Sequence, residues 1–244
     1  MSRRTPNGRR FNFIIAIPQP MRIAQVTGFL GSGKTSFLTK LAKELTDRGN
    51  RVAVIVNDVG HINVDQKIMS SHGLTVKEVA GGCICCEVQG TFTTTIMNLH
   101  LSHRPDIVLV EPSGVAIPWG LKQAVAEASK NSGLDIVHAP IVTFVDCSSI
   151  EEQMIFVGRL ISTQIKEADA VMMNKTDVCT PEEIEKCLGI IKKVHPDAVI
   201  MKGSAVTGEG MKEMADMIMN ARSEKYDEAM EEGLFKEQYG GKDE

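Results

Sequence analysis

The stretch Gly28-Phe29-Leu30-Gly31-Ser32-Gly33-Lys34-Thr35 lies between an apolar run, Arg22–Thr27, and a helical pattern, Lys34–Arg48. Strand, glycine-rich loop and helix in this order constrain the chain more than any other segment. The glycines permit a sharp turn that side chains would block, so several backbone amides converge on one point. A helix opening at the end of the loop adds its unpaired N–H groups and the positive end of its dipole. A loop of this kind is built for phosphate oxygens and needs a sheet behind it.

The rest of the chain supplies that sheet. Strand-length apolar runs recur at Arg51–Asn57, Leu74–Val79, Asp106–Glu111, Ile141–Asp146, Ala170–Asn174 and Ala198–Lys202. Several are almost uniformly apolar, as in Val52-Ala53-Val54-Ile55-Val56, which suits strands covered on both faces. Helical patterns fall at Phe92–His103, Gly120–Lys130, Pro181–Val194 and Met211–Ala221. The alternation predicts an α/β fold of the P-loop NTPase type. Its doubly wound, mostly parallel sheet has about seven strands and helices on both faces, with ligand sites at the carboxyl ends of the strands.

Residues 21–222 are expected to form one domain with no second domain after it. Residues 1–20, with four arginines and no acidic residue, read as a disordered extension ahead of Met21. Residues 223–244 read as a frayed, acid-rich tail. The net charge of -4 gives no reason to expect a nucleic acid partner, and no apolar run is long enough to cross a bilayer.

Within the loop, Gly28, Gly31, Ser32 and Gly33 are expected to cradle phosphates, with Ser36 beside them. Lys34 reaches the β- and γ-phosphates, and Thr35 offers its hydroxyl to magnesium. Asn174-Lys175-Thr176-Asp177 follows an apolar strand and selects the base. The Asp177 carboxylate can accept from both N1–H and the exocyclic amine of guanine, whereas adenine presents an acceptor at N1. Asn174 can bond guanine N7 and help hold the turn, and the Lys175 stem can cover the ring. Ser204-Ala205 follows the last strand and either adds a backbone donor to guanine O6 or is a plain loop. Strand-end carboxylates Asp58 and Glu111 are candidates for holding magnesium-bound water or orienting the attacking water. Gly114 in Glu111-Pro112-Ser113-Gly114 can turn its N–H toward a γ-phosphate. Asp146 reads better as a cap for the following helix.

Cys83, Cys85 and Cys86 fall within four residues, flanked by Gly81-Gly82. Thiolates so placed supply part of a tetrahedral site for a zinc- or cobalt-class ion, with buried inert thiols and a redox switch as alternatives. Crowded cysteines without a disulfide framework fit a reducing compartment, the cytoplasm.

Taken together, the sequence resembles the CobW-type GTPases, relatives of UreG, HypB and MeaB. The resemblance rests on Gly28–Thr35, Asn57-Asp58-Val59-Gly60 with Asp65, Gly82-Cys83-Ile84-Cys85-Cys86, Pro105-Asp106 leading to Glu111-Pro112-Ser113-Gly114, Gln164 with Ala168-Asp169, and Asn174-Lys175-Thr176-Asp177. It implies a GTPase whose nucleotide state controls metal binding at the cysteine motif, with GTP, GDP, Mg2+ and Zn2+ or Co2+ as ligands. It also implies a client metalloprotein or corrinoid enzyme and a nucleotide-dependent homodimer. Asp58 stands where the family usually has glutamate, and the second domain of many members is not expected here. The alternatives are a chaperone for a corrinoid enzyme with only structural zinc, and a redox-gated regulatory GTPase. His100 and His103 share a helix face but read as a solvated helix end, and Met211, Met214, Met217 and Met219 as the buried face of a closing helix.

Overall fold

The computed structural model describes residues 19–56, 75–78 and 89–226. Seven strands run in the order β1 Met21–Gly28, β2 Val52–Val56, β3 Thr75–Glu78, β4 Ile107–Glu111, β5 Ile136–Asp146, β6 Ala170–Asn174 and β7 Val199–Lys202. The helices are α1 Lys34–Asp47, α2 Gln89–His103, α3 Pro118–Ser132, α4 Ile150–Lys166, α5 Pro181–Val194 and α6 Met211–Asn220. The strands form one sheet in the order β3-β2-β4-β1-β5-β6-β7, and every pairing is parallel. The chain crosses from one side of β1 to the other after β4, so β1 marks the switch point where open α/β sheets bind ligands.

Alternate residues on each strand feed opposite layers. Ala24 and Val26 of β1, Val54 of β2, Leu109 of β4 and Phe144 of β5 pack under α1 and α6, against Phe37, Leu41 and Ile218. Ile23, Ala53, Ile55, Val108 and Val110 pack on the other face under α2 and α3, against Phe92, Ile96, Leu121 and Val125. Val145, Val171 and Met173 extend that face under α4 and α5, with Ile161, Ile165, Cys187 and Ile191. The unbroken apolar strands are thus the ones with helices on both sides. Phe37 meets Phe144 edge-on at a centroid distance of 5.1 Å, fixing α1 to the strand beside the glycine loop. Met211 and Met214 are buried and Met217 and Met219 pack against the same core, as the apolar spacing predicts.

Two elements differ from expectation. β5 begins five residues earlier, at Ile136 rather than Ile141. Its pairing with β1 slips by one residue between Ile23 and Gln25, opposite His138 and Ile141, so Pro140 sits in a bulge where its missing N–H costs no ladder bond. The helix α4 is absent from the sequence-level pattern. Its periodicity breaks at Val157 (φ -133°, ψ 24°), and Ile155 and Phe156 are 79% and 76% exposed there, which scrambles the apolar stripe. The packed body also extends past α6: Ser223 N–H donates to the His138 carbonyl at 2.9 Å, and Tyr226 stacks on the His138 ring.

Candidate functional site

The glycine loop leaves β1 and enters α1 at Gly33, which has the left-handed values φ 83° and ψ 15°. A side chain there would be strained, and its Cβ would collide with the Asn174 amide. That close approach joins the phosphate loop to the Asn174–Asp177 loop. Asn174 Nδ2 donates to the Ser32 carbonyl at 2.7 Å from a fully buried position. Lys34 Nζ donates to the Phe29 carbonyl at 3.0 Å, which holds its ammonium over the loop. A cavity of about 360 Å³ opens here, lined by Gly31, Gly33, Lys34, Thr35, Ser36, Glu111 and Lys175. Gly28 ends β1 beside Phe144, below the loop.

Thr35 Oγ1 donates to Glu111 Oε1 at 2.7 Å, so the two oxygen groups that suit magnesium stand together at the ends of α1 and β4. Hard oxygen donors beside a ring of backbone amides fit a magnesium–nucleotide pair. After Glu111 the chain folds down on the phosphate loop: a Cβ on Gly114 would come within 2.8 Å of the Leu30 nitrogen. Buried Gln164 on α4 holds this segment, donating from Nε2 to the carbonyls of Ala116 at 2.8 Å and Gly114 at 3.2 Å.

The loop after β6 is braced from several sides. Lys175 has a left-handed backbone (φ 64°), uncommon for a residue with a side chain. Its Nζ donates to Asp146 Oδ2 at 2.7 Å. Asp146 uses its other oxygen to accept from Ser148 N and Oγ at 3.0 and 2.6 Å, organising the turn into α4 while Ser149 takes the capping position. Burial raises the Asp146 pKa, but the hydrogen bonds from Lys175, Ser148 and Ser149 outweigh it and hold the carboxyl below its ordinary value. Thr176 Oγ1 donates to the Gly203 carbonyl at 3.0 Å, drawing in the segment after β7. Asp177 is exposed in the 3-10 turn Thr176–Val178. Ser204 is buried, its hydroxyl accepting from Val206 and Thr207 amides and its own amide donating to the Glu209 carbonyl. Its role is therefore to shape the turn that presents Ala205.

The structure thus gathers Gly28–Ser36, Glu111, Asn174–Asp177 and Ser204-Ala205 at one edge of the sheet. Asp58, Cys83, Cys85 and Cys86 lie outside the described residues, and among the described residues no group of three or more His, Cys, Asp or Glu is arranged to hold a metal ion. His100 and His103 end α2 just before β4 begins, at the opposite edge, and His103 is exposed. Asp146 as the Lys175 partner and Gln164 as the anchor of the Glu111 loop were not legible from residue type and spacing. Among the described residues no helix is long and apolar enough to cross a membrane.

Residues 22–202 match the nucleotide-binding domain of CobW/HypB/UreG proteins. The zinc-regulated GTPase metalloprotein activator 1 of Schizosaccharomyces pombe is 30% identical over 207 residues, covering 81% of this chain and 49% of the relative. The zinc chaperone YeiR of Escherichia coli is 30% identical over 158 residues, covering 64% and 47%. The chain therefore spans about half the length of these curated relatives. Among solved structures, HypB from Archaeoglobus fulgidus has a TM-score of 0.59 at 19% identity over 82% of this chain and 89% of that one. The Zn(II)-bound YjiA GTPase of E. coli has a TM-score of 0.58 at 23% identity, over 75% and 57%. These structural likenesses show the P-loop NTPase fold, and the match over residues 22–202 settles the lineage: the chain belongs to the CobW/HypB/UreG family.

Proposed function

We propose that this chain binds GTP with magnesium, hydrolyses it, and uses the cycle to govern the hand-over of a zinc- or cobalt-class ion to a client metalloprotein in the cytoplasm. The observation that carries the reading is the bond from Asn174 to the Ser32 carbonyl, because it fixes the base-reading loop to the phosphate loop. On this reading Asp177, exposed in the turn after Asn174, accepts from two guanine donors, and Lys175, which lines the cavity, covers the ring. Glu111, bonded to Thr35, is placed to orient the attacking water or a magnesium-bound water. The Gly114 segment over Leu30 is placed to sense the γ-phosphate. Relatives named for zinc favour zinc as the cargo, with Cys83, Cys85 and Cys86 as its ligands. A nucleotide-dependent homodimer would complete the hydrolytic site.

Guanine choice is tested by titrating GTP, GDP, ATP and ADP into the protein and into Asp177→Asn. GTP and GDP should bind far more tightly than the adenine nucleotides. The substitution should cost about 2–4 kcal/mol for guanine, the loss of a two-bond charged contact. Equal affinity of the unmodified protein for ATP would refute the assignment.

A further inference from the structure

The two loops proposed to read the base meet at one further residue. Ser204-Ala205 opens the turn between β7 and α6, and Glu209 stands near its end. Gly208 and Gly210, on either side of Glu209, are left-handed, with φ 84° and 76°. A Cβ on Gly210 would collide with the Lys202 carbonyl at the end of β7, so the turn is pressed against its own strand. Within it the Ser204 amide donates to the Glu209 carbonyl at 3.1 Å, and the Gly208 amide donates to the Ser204 carbonyl at 2.9 Å. The Glu209 backbone is therefore tied to the residue that precedes Ala205.

Its side chain leaves the turn. Thr176 Oγ1, 33 positions earlier in the chain, donates to Glu209 Oε2 at 2.5 Å and shares its proton with the Gly203 carbonyl at 3.0 Å. Thr176 is buried and Glu209 exposed, so the carboxylate reaches inward from the surface. The Thr176 amide also donates to the Gly203 carbonyl, at 3.3 Å, which ties the Asn174–Asp177 loop to the start of the turn only. Glu209 thus holds Thr176, the neighbour of Asp177, by its side chain and Ser204, the neighbour of Ala205, by its backbone.

We propose that Glu209 is a positioning residue for guanine recognition, setting the separation between the Asp177 carboxylate and the Ala205 amide. Guanine presents O6, N1–H and the exocyclic amine in a row. A protein donor and a carboxylate can engage all three at good angles only if the distance between them is fixed. Glu209 touches no part of the nucleotide. Its carboxylate gives the Thr176 hydroxyl a charged acceptor, the stronger kind of hydrogen bond, and so stiffens the joint between the two loops. Without it Thr176 keeps the neutral Gly203 carbonyl, and the far end of the turn is released from the Asp177 loop.

The inference rests on the guanine reading above, and the test separates the two. Affinities for GDP, ADP, pyrophosphate and inosine diphosphate (IDP, which is GDP without the exocyclic amine) are measured by titration calorimetry on the full-length protein and its variants, with Tm alongside. Glu209→Ala should weaken GDP about three- to tenfold, IDP less and pyrophosphate not at all, so the preference for GDP over IDP narrows. Glu209→Gln keeps an oxygen acceptor and should restore most of that preference. Thr176→Val should narrow it too, and adding Glu209→Ala to Thr176→Val should cost nothing further. An unchanged GDP-to-IDP ratio in Glu209→Ala, an equal loss for pyrophosphate, or a further loss in the double variant would each overturn the proposal. A lower Tm with the ratio intact is the result expected of a turn that only supports the fold, and it too would overturn it. Unmodified protein that binds ADP or IDP as tightly as GDP would refute the guanine reading itself.

Discussion

His138 lies flat against Tyr226, with ring centroids 3.4 Å apart and 10° between the planes. Burial, and then the nearby Arg222 charge, lowers its pKa from 6.5 to about 4. The native state therefore keeps a neutral ring where the unfolded chain would take up a proton. Above pH 6.5 both states are neutral and the contribution to stability is complete; between pH 6.5 and about 4 the unfolded state gains a proton that the native ring refuses, and stability falls. The loss should total about 1–3 kcal/mol. Urea unfolding at pH 7 and pH 5 checks it, because His138→Phe keeps the stack but cannot titrate and should show the smaller drop. At this scale the sequence is legible where one site's chemistry is contiguous, as in Asn174-Lys175-Thr176-Asp177. It is silent where function needs distant partners. Asp146 meets Lys175 across 29 positions and Gln164 meets Gly114 across 50. A polar residue on a helix carries no mark of the carbonyl it will find.

Among the elements, α4 braces the site from behind. Its last turns place Gln164 under the segment that follows Glu111, and the Gln164 carbonyl accepts from Thr143 on β5 at 2.9 Å. If the chain hydrolyses GTP as proposed, Gln164 would be a positioning residue, acting through the Gly114 segment that it holds. Gln164→Leu should lower kcat for GTP hydrolysis about ten- to a hundredfold, the usual cost of slightly misplaced reacting groups, with KM for GTP nearly unchanged. Steady-state kinetics would show a purely structural role as a lower Tm with kcat intact. Strands β2, β4 and β6 were readable because each is a short, fully buried apolar run with helices on both faces. The early residues of β5 and the whole of α4 were not. A proline bulge hides the first, and a kink with outward Ile155 and Phe156 hides the second.

Over the whole molecule, the sheet order sets β1 between two wings. On one side β4 carries Glu111, and β2 precedes the chain segment containing Asp58; on the other, β6 and β7 lead into the Asn174–Asp177 and Ser204-Ala205 segments proposed to read the base. In the chain, the segment with Cys83, Cys85 and Cys86 follows β3 and precedes α2, outside the described residues. If γ-phosphate orders the wing that carries Glu111, metal affinity should differ between a non-hydrolysable GTP analogue and GDP by about 5- to 150-fold. Linkage then requires metal to change nucleotide affinity by the same factor. Competition titration with a chromophoric chelator in the two nucleotide states measures it, and identical affinities would leave any bound ion structural.

The bond between Asn174 and Ser32 spans 142 positions. The phosphate loop leaves the ribosome early, but the residue that fastens it is made only at the end of β6. Pairing of β1 with β4 and β5 is similarly remote in sequence. A nascent chain stopped before Asn174 would carry the glycines and Lys34 without the bond that ties Ser32 to β6. Tight nucleotide binding would therefore report that synthesis has passed β6, because only then can the phosphate loop be fastened.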